Sequence, residues 1–144
     1  MVYHDASKMD EITDDNGLPE SQGYVPGGMF LGWIIENGLY NQEELESSEE
    51  SIDKFRKREL SGPQLLASDF DGKIDDEILN EQGIAFGDYY FDSRRYYDDF
   101  EEHLAKGLKT KFHVLDTWAN YDAIKNVIDK RYAEWKRQFK SPNV

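Results

Sequence analysis

Gly27-Gly28-Met29-Phe30-Leu31-Gly32-Trp33-Ile34-Ile35-Glu36-Asn37-Gly38 decides the architecture of this chain. The run is apolar on nearly every side, and a helix without a polar stripe belongs in the middle of a domain. A strand is the other reading of so short an apolar run, but its length and flanking glycines favour helix. Asn37-Gly38 supplies a left-handed stop. Gly32 lets a neighbour approach closely. The rest of the sequence must therefore wrap around this segment.

Downstream, Asn41 with Glu44 reads as a capping box. The helix it opens carries Leu45, Ile52 and Phe55 on one stripe, under a solvated coat of acids early and bases late. Ser61-Gly62-Pro63 starts a short helix with Leu65, Leu66 and Phe70 on its apolar side. Asp69 to Lys73 is a turn, and Asp75 caps a short piece carrying Ile78 and Leu79. Phe112-His113-Val114-Leu115 is an apolar link and the place for a short strand. Asp116 or Thr117 then caps the clearest amphipathic helix: Trp118, Tyr121, Ile124, Ile128, Tyr132, Trp135 and Phe139 recur every three or four residues. Upstream, Asp14-Asp15-Asn16-Gly17 and Gly23-Tyr24-Val25-Pro26 break the chain into turns. The expected fold is mainly α, a single-domain helical bundle with room for a short β element. Residues 1–26 form an irregular arm, 27–140 the helical body and 141–144 a frayed tail.

With 144 residues the chain makes one domain, able to bury roughly two thirds of its unfolded surface. Its formal net charge is -13. That excess argues against nucleic acid, whose phosphates it would repel, and favours cationic protein partners. Residues 1–103 carry 26 acids against 8 bases, whereas residues 104–144 carry 4 acids against 9 bases. The basic end can pair with the acidic body of its own fold or with a second copy, so a homo-oligomer is one reading. There is no cysteine. The start, Met1 to Ala6, does not read as a secretory signal. No apolar stretch approaches the roughly 18 residues of a membrane span. A cytoplasmic protein that does not engage membranes is the expectation.

Asp88-Tyr-Tyr-Phe-Asp-Ser-Arg-Arg-Tyr-Tyr-Asp-Asp-Phe-Glu-Glu102 crowds four tyrosines, two phenylalanines, six carboxylates and two arginines together. Tyr and Arg anchor interfaces because they make large contacts for little lost rotamer freedom. Ile84, Phe86, Tyr90, Tyr97, Phe100 and Leu104 form a core-facing stripe with a break near Asp92-Ser93. Tyr89, Asp92, Tyr96, Asp98, Asp99, Glu101 and Glu102 fall largely outside it. The candidate partner-binding residues are therefore Tyr89, Asp92, Tyr96, Tyr97, Asp98, Asp99, Glu101 and Glu102, a surface for something basic.

No catalytic residue, cofactor or metal is expected. Ser68 to Asp75 looks like part of a calcium loop, but Gly72 at its sixth position puts Ala67 at the first and Ile78 at the twelfth, where carboxylates are needed. It reads as an Asp-Gly turn. His4, His103 and His113 have no metal-ligand spacing. A small enzyme using a His/carboxylate site such as His4 and Asp5 is the alternative function.

Several motifs occur in order: Tyr3-His4-Asp5-Ala6-Ser7, Gly28 to Leu39 (Gly-Met-Phe-Leu-x-Trp at its head), Arg58-Glu59-Leu60-Ser61-Gly62, Asp71-Gly72-Lys73 and Asp116-Thr117-Trp118-Ala119-Asn120-Tyr121. Together they resemble a family of small acidic bacterial proteins of unknown function, over nearly the whole chain. The sequence departs from the pattern after Ser7, where Lys8-Met9-Asp10 replaces an aromatic run. The resemblance implies no activity or catalytic residue. In size, acidity and absence of an export signal the chain resembles immunity proteins that neutralise bacterial toxins. The expected function is thus an acidic cytoplasmic binding protein that blocks a toxin by occluding its basic surface or active site.

Overall fold

The computed structural model describes residues 1–139, and the fold is mainly α. The frayed tail expected over 141–144 lies outside the described residues, as does Lys140. Seven α-helices follow one another: α1 Asp10–Asp15, α2 Val25–Glu36, α3 Glu49–Arg56, α4 Gly62–Asp69, α5 Glu81–Tyr90, α6 Arg95–Leu104 and α7 Trp118–Phe139. Two strands, β1 Val2–Asp5 and β2 Lys73–Asp75, pair antiparallel, with His4 opposite Ile74 and Asp5 opposite Lys73.

The central helix is α2, as its composition requires. Every residue from Val25 to Ile35 is buried. Pro26 sits in its first turn, where no N–H is missed. Gly38 ends it at φ 67°, with the Gly38 and Leu39 amides donating back to Ile35 and Ile34 carbonyls. Phe30 and Trp33 project into an aromatic cluster with Phe86, Tyr90, Phe91 and Tyr96, at centroid separations of 4.9 to 6.3 Å. On the other side α2 crosses α4 at backbone contact. A Cβ on Gly28 would lie 2.3 Å from Pro63 Cα, and one on Gly62 would lie 2.2 Å from the Gly28 carbonyl oxygen. Gly32 is close-packed too, against the ring of Phe55.

The remaining helices close around this axis. Ser61 and Gln64 form a full capping box on α4. Thr117 caps α7, its Oγ1 accepting from the Asn120 amide. From α7, Tyr121, Ile124, Ile128 and Trp135 are buried, and Asp129 accepts from the indole N–H of Trp33 at 2.8 Å. Arg58, left-handed at φ 61°, ties the end of α3 to α7 by a two-pronged bond to Asp122 and by lying 4.6 Å over the Trp118 ring. The basic C-terminal region thus pairs partly with its own body, through Arg131–Asp99 and Lys125–Glu36.

Three local expectations are corrected. The arm over residues 1–26 contains β1, α1 and 3-10 turns at Ala6–Met9 and Glu20–Tyr24. The β element joins this arm to β2; Lys111–His113 is a 3-10 turn followed by extended chain. Asn41 caps only a turn, accepting from the Glu43 and Glu44 amides, and α3 begins eight residues later.

Candidate functional site

The aromatic-acidic segment folds as the end of α5, a tight turn and α6. The turn is set by Arg94 at φ 71°. That left-handed residue resets the helical phase, so the buried face of α6 is Tyr96, Asp99 and Phe100. Two of the eight candidate residues are thereby corrected. Tyr96 has no exposed surface and its hydroxyl donates to the Pro26 carbonyl at 2.5 Å. Asp99 is 5% exposed, accepting from Tyr90 Oη at 2.6 Å and from Arg131 Nε and Nη2 at 2.9 and 3.0 Å. Neither can meet a partner in this fold. Burial alone would raise the Asp99 pKa, but the Arg131 and Tyr90 hydrogen bonds outweigh it and hold the carboxyl below its ordinary range.

The other six reach the surface to different degrees. Tyr97 is half-buried, bonded to His4 Nδ1 at 3.0 Å, with its pKa pushed up to about 12 by burial. Tyr89 is half-buried between Phe86 and Phe139. Asp92, Asp98, Glu101 and Glu102 are exposed, and no salt bridge joins them to a base among the described residues. The two arginines of the segment lie instead on rings, Arg95 at 4.6 Å over Tyr89 and Arg94 at 5.4 Å over Tyr97. These four carboxylates therefore reach solvent without an ion pair among the described residues.

Removing Arg131 tests the inward half of the segment. Arg131→Ala leaves the Asp99 charge buried with only the Tyr90 hydroxyl. A fully buried pair broken this way loses 3–5 kcal/mol; the half-exposed guanidinium brings the expected loss to about 2 kcal/mol. Adding Asp99→Asn should recover part of that loss in urea denaturation, because the stranded charge is gone. Simple additivity of the two changes would contradict this account.

His4 and Asp5 do not form a dyad. Asp5 turns away to accept from the Ser7 amide and hydroxyl. His4 is 4% exposed, packed under Gly27 and against Phe91, with Nε2 unpartnered. Burial lowers its pKa to about 4, against a small opposing effect of the Asp5 charge. Asp99, Glu102 and His103 each bring a ligand atom within 4.8 Å of the others, but both Asp99 oxygens are already held.

A second region, which sequence reasoning missed, is a cleft of about 400 Å³ between residues 20–25 and α4. Tyr24, Val25, Pro63 and Ala67 form its apolar walls, with Glu20 and Asp116 among its polar edges. The Gln22 amide, donating to the carbonyls of Phe112 and Val114, fixes the 3-10 turn against the link before α7. Asp116 accepts from Ser61 Oγ at 2.5 Å. Asp116 is exposed as a residue, yet the packing around its carboxyl raises its pKa, and the Ser61 bond offsets only part of that. An adjoining cleft is lined by Asp10, Glu11, Thr13, Asp14, Leu18 and Glu20, so Glu20 belongs to both. The sequence marked Tyr24 and Val25 as part of a turn and Pro63 and Asp116 as helix starts, with nothing to bring them together. The cleft is assembled from three separate parts of the chain, residues 20–25, 63–67 and Asp116.

No described helix is long and apolar enough to cross a membrane. Fold and clefts define a small helical protein with acid-edged, open surface features. The chain belongs to the family described as Domain of unknown function (DUF7832), matched over residues 2–114. That match takes in Gly28 to Leu39 and ends before the Asp116–Tyr121 motif. Among curated proteins and solved structures, none matches significantly.

Proposed function

We propose that the protein is an acidic binding protein that neutralises a bacterial toxin in the cytoplasm by covering its basic surface or active site. The observation that carries this reading is the set of exposed carboxylates at Asp92, Asp98, Glu101 and Glu102, in no ion pair among the described residues, in the same segment as the half-exposed Tyr89. Carboxylates outside ion pairs attract a cationic surface from a distance and speed encounter. Tyr89, half-buried, packed against Phe86 and Phe139 and lying under the Arg95 guanidinium, offers a rigid contact for such an encounter.

The test is affinity and association rate for the toxin encoded beside this gene. Replacing the four carboxylates by Asn or Gln should slow association roughly tenfold or more at low salt, with the gap closing as salt rises. Tyr89→Ala should speed dissociation. Tyr96→Ala is no test of contact, because it empties the core. Unchanged rates in both folded variants would overturn the reading.

A further inference from the structure

We propose that the cleft between residues 20–25 and α4 is a socket for an arginine or lysine side chain of a partner protein, with the Asp116 and Glu20 carboxylates receiving the charged head. This deepens the reading above, on which it rests for the nature of the partner, and it names a contact that the aromatic-acidic segment does not supply.

The geometry selects this occupant. A cleft of about 400 Å³ is within the range that encloses a small ligand or a long side chain. Its walls, Tyr24, Val25, Pro63 and Ala67, are apolar, which suits the methylene stem of Arg or Lys. Its charged edge groups, Glu20 and Asp116, are both carboxylates, so an anion is disfavoured and a neutral apolar side chain would leave them without a counter-charge. Neither is joined to a cation of the chain by a salt bridge among the described residues. Ser61 Oγ engages Asp116 Oδ2, and Oδ1 has no hydrogen bond from a described residue.

The site is also held in place. Pro63 is fixed by the backbone contact of α4 with Gly28, and the capping box at Ser61 orients the start of that helix. The turn carrying Glu20 and Tyr24 is fixed by the Gln22 amide. A socket with settled walls gains affinity because little must be ordered on binding. The raised pKa of Asp116 agrees with the geometry: an approaching cation would relieve a carboxyl whose charged form its surroundings disfavour. Through Glu20 the socket runs into the second cleft with Asp10, Glu11 and Asp14, which gives neighbouring basic residues of the same partner segment a place to lie.

The experiment titrates the ¹⁵N-labelled protein with N-acetyl-arginine amide, with its neutral isostere N-acetyl-citrulline amide, and with putrescine as a free diamine. The expected result is saturable shifts centred on the Gln22, Gln64 and Ala67 amides with the arginine probe. Citrulline should give much weaker shifts, and Asp116→Asn should remove the arginine response while the rest of the spectrum stays folded. Equal response to citrulline, or shifts scattered over every acidic patch, would overturn the socket. Tighter binding of putrescine than of the arginine probe would overturn the assignment to a protein side chain. Since no toxin enters this titration, its failure is distinguishable from failure of the toxin-binding reading, which is measured on Tyr89 and the carboxylates of Asp92, Asp98, Glu101 and Glu102.

Discussion

Gly28→Ala is expected to destabilise the protein by about 3 kcal/mol, against the usual trend for this substitution in a helix. Elsewhere, Ala in place of Gly in a helix interior gains roughly 0.5–1 kcal/mol from conformational entropy. At Gly28 the added methyl would sit 2.3 Å from Pro63 Cα, 2.5 Å from its N and 2.9 Å from its Cβ. Two of those atoms are backbone, so no rotamer change can relieve the overlap. The helices would have to separate by more than an ångström, opening gaps along a contact that includes Leu65 and Leu66, both fully buried. Close-packed interiors resist such a shift. Gly32→Ala is the internal comparison. Its new methyl would meet the Phe55 ring at 3.0 Å and Tyr121 at 3.3 Å, side-chain atoms that can move. Its net loss should be smaller, about 1 kcal/mol. Urea denaturation decides: for a chain of this size 3 kcal/mol corresponds to a drop in Tm of roughly 10 °C. A Gly28→Ala protein as stable as the parent would show that α2 and α4 do not meet through their backbones.

These two positions also mark how far the sequence could be read. The all-round apolar character of Met29–Ile35 placed α2 at the centre because no polar residue could face water there. The spacing from Trp118 to Trp135 fixed the inward face of α7, since a long run averages out local exceptions. Ser61-Gly62-Pro63 marked the start of α4 through local preferences alone. Gly28 was legible as a helix start, but its contact with Pro63 depends on a crossing between separate elements. The β1–β2 pairing failed for the same reason: about seventy residues separate the strands, and each is four residues or fewer. In α6 the error was one of phase. Asp99 reads as a surface residue until Arg131 and Tyr90 are seen to satisfy it. Tyr97 looked like core until Tyr96 took the inward position through its bond to Pro26. The socket was hidden altogether, because Glu20, Pro63 and Asp116 share no sequence neighbourhood and meet only in the folded chain.

His4 should make the fold sensitive to mild acid. Its imidazole is 4% exposed, and burial lowers its pKa from 6.5 to about 4. In the native state it stays neutral down to that pH, whereas in the unfolded chain it takes up a proton below about 6.5. Between those values the unfolded state binds more protons, so stability must fall as pH falls. The contribution is fully present above pH 6.5 and is lost as pH drops through 4, a loss of about 3 kcal/mol in all. The groups facing the ring agree with this direction. Gly27 and Phe91 offer no counter-charge and the Tyr97 hydroxyl remains protonated, while the neighbouring Asp5 is turned to Ser7. Other carboxylates act elsewhere on the pH axis: those of Asp99 and Asp122 lie below their ordinary range, so their losses come at lower pH. Asp116, with a raised pKa, works in the opposite direction. Unfolding free energies at about pH 7.5 and about pH 5 should therefore differ by about 2 kcal/mol in the parent protein. In His4→Gln, which lacks the titrating ring, the difference should shrink toward zero or reverse slightly through Asp116. An unchanged slope in that variant, or a His4 resonance that titrates near 6.5 in the folded protein, would mean that the ring is not held neutral beneath Gly27.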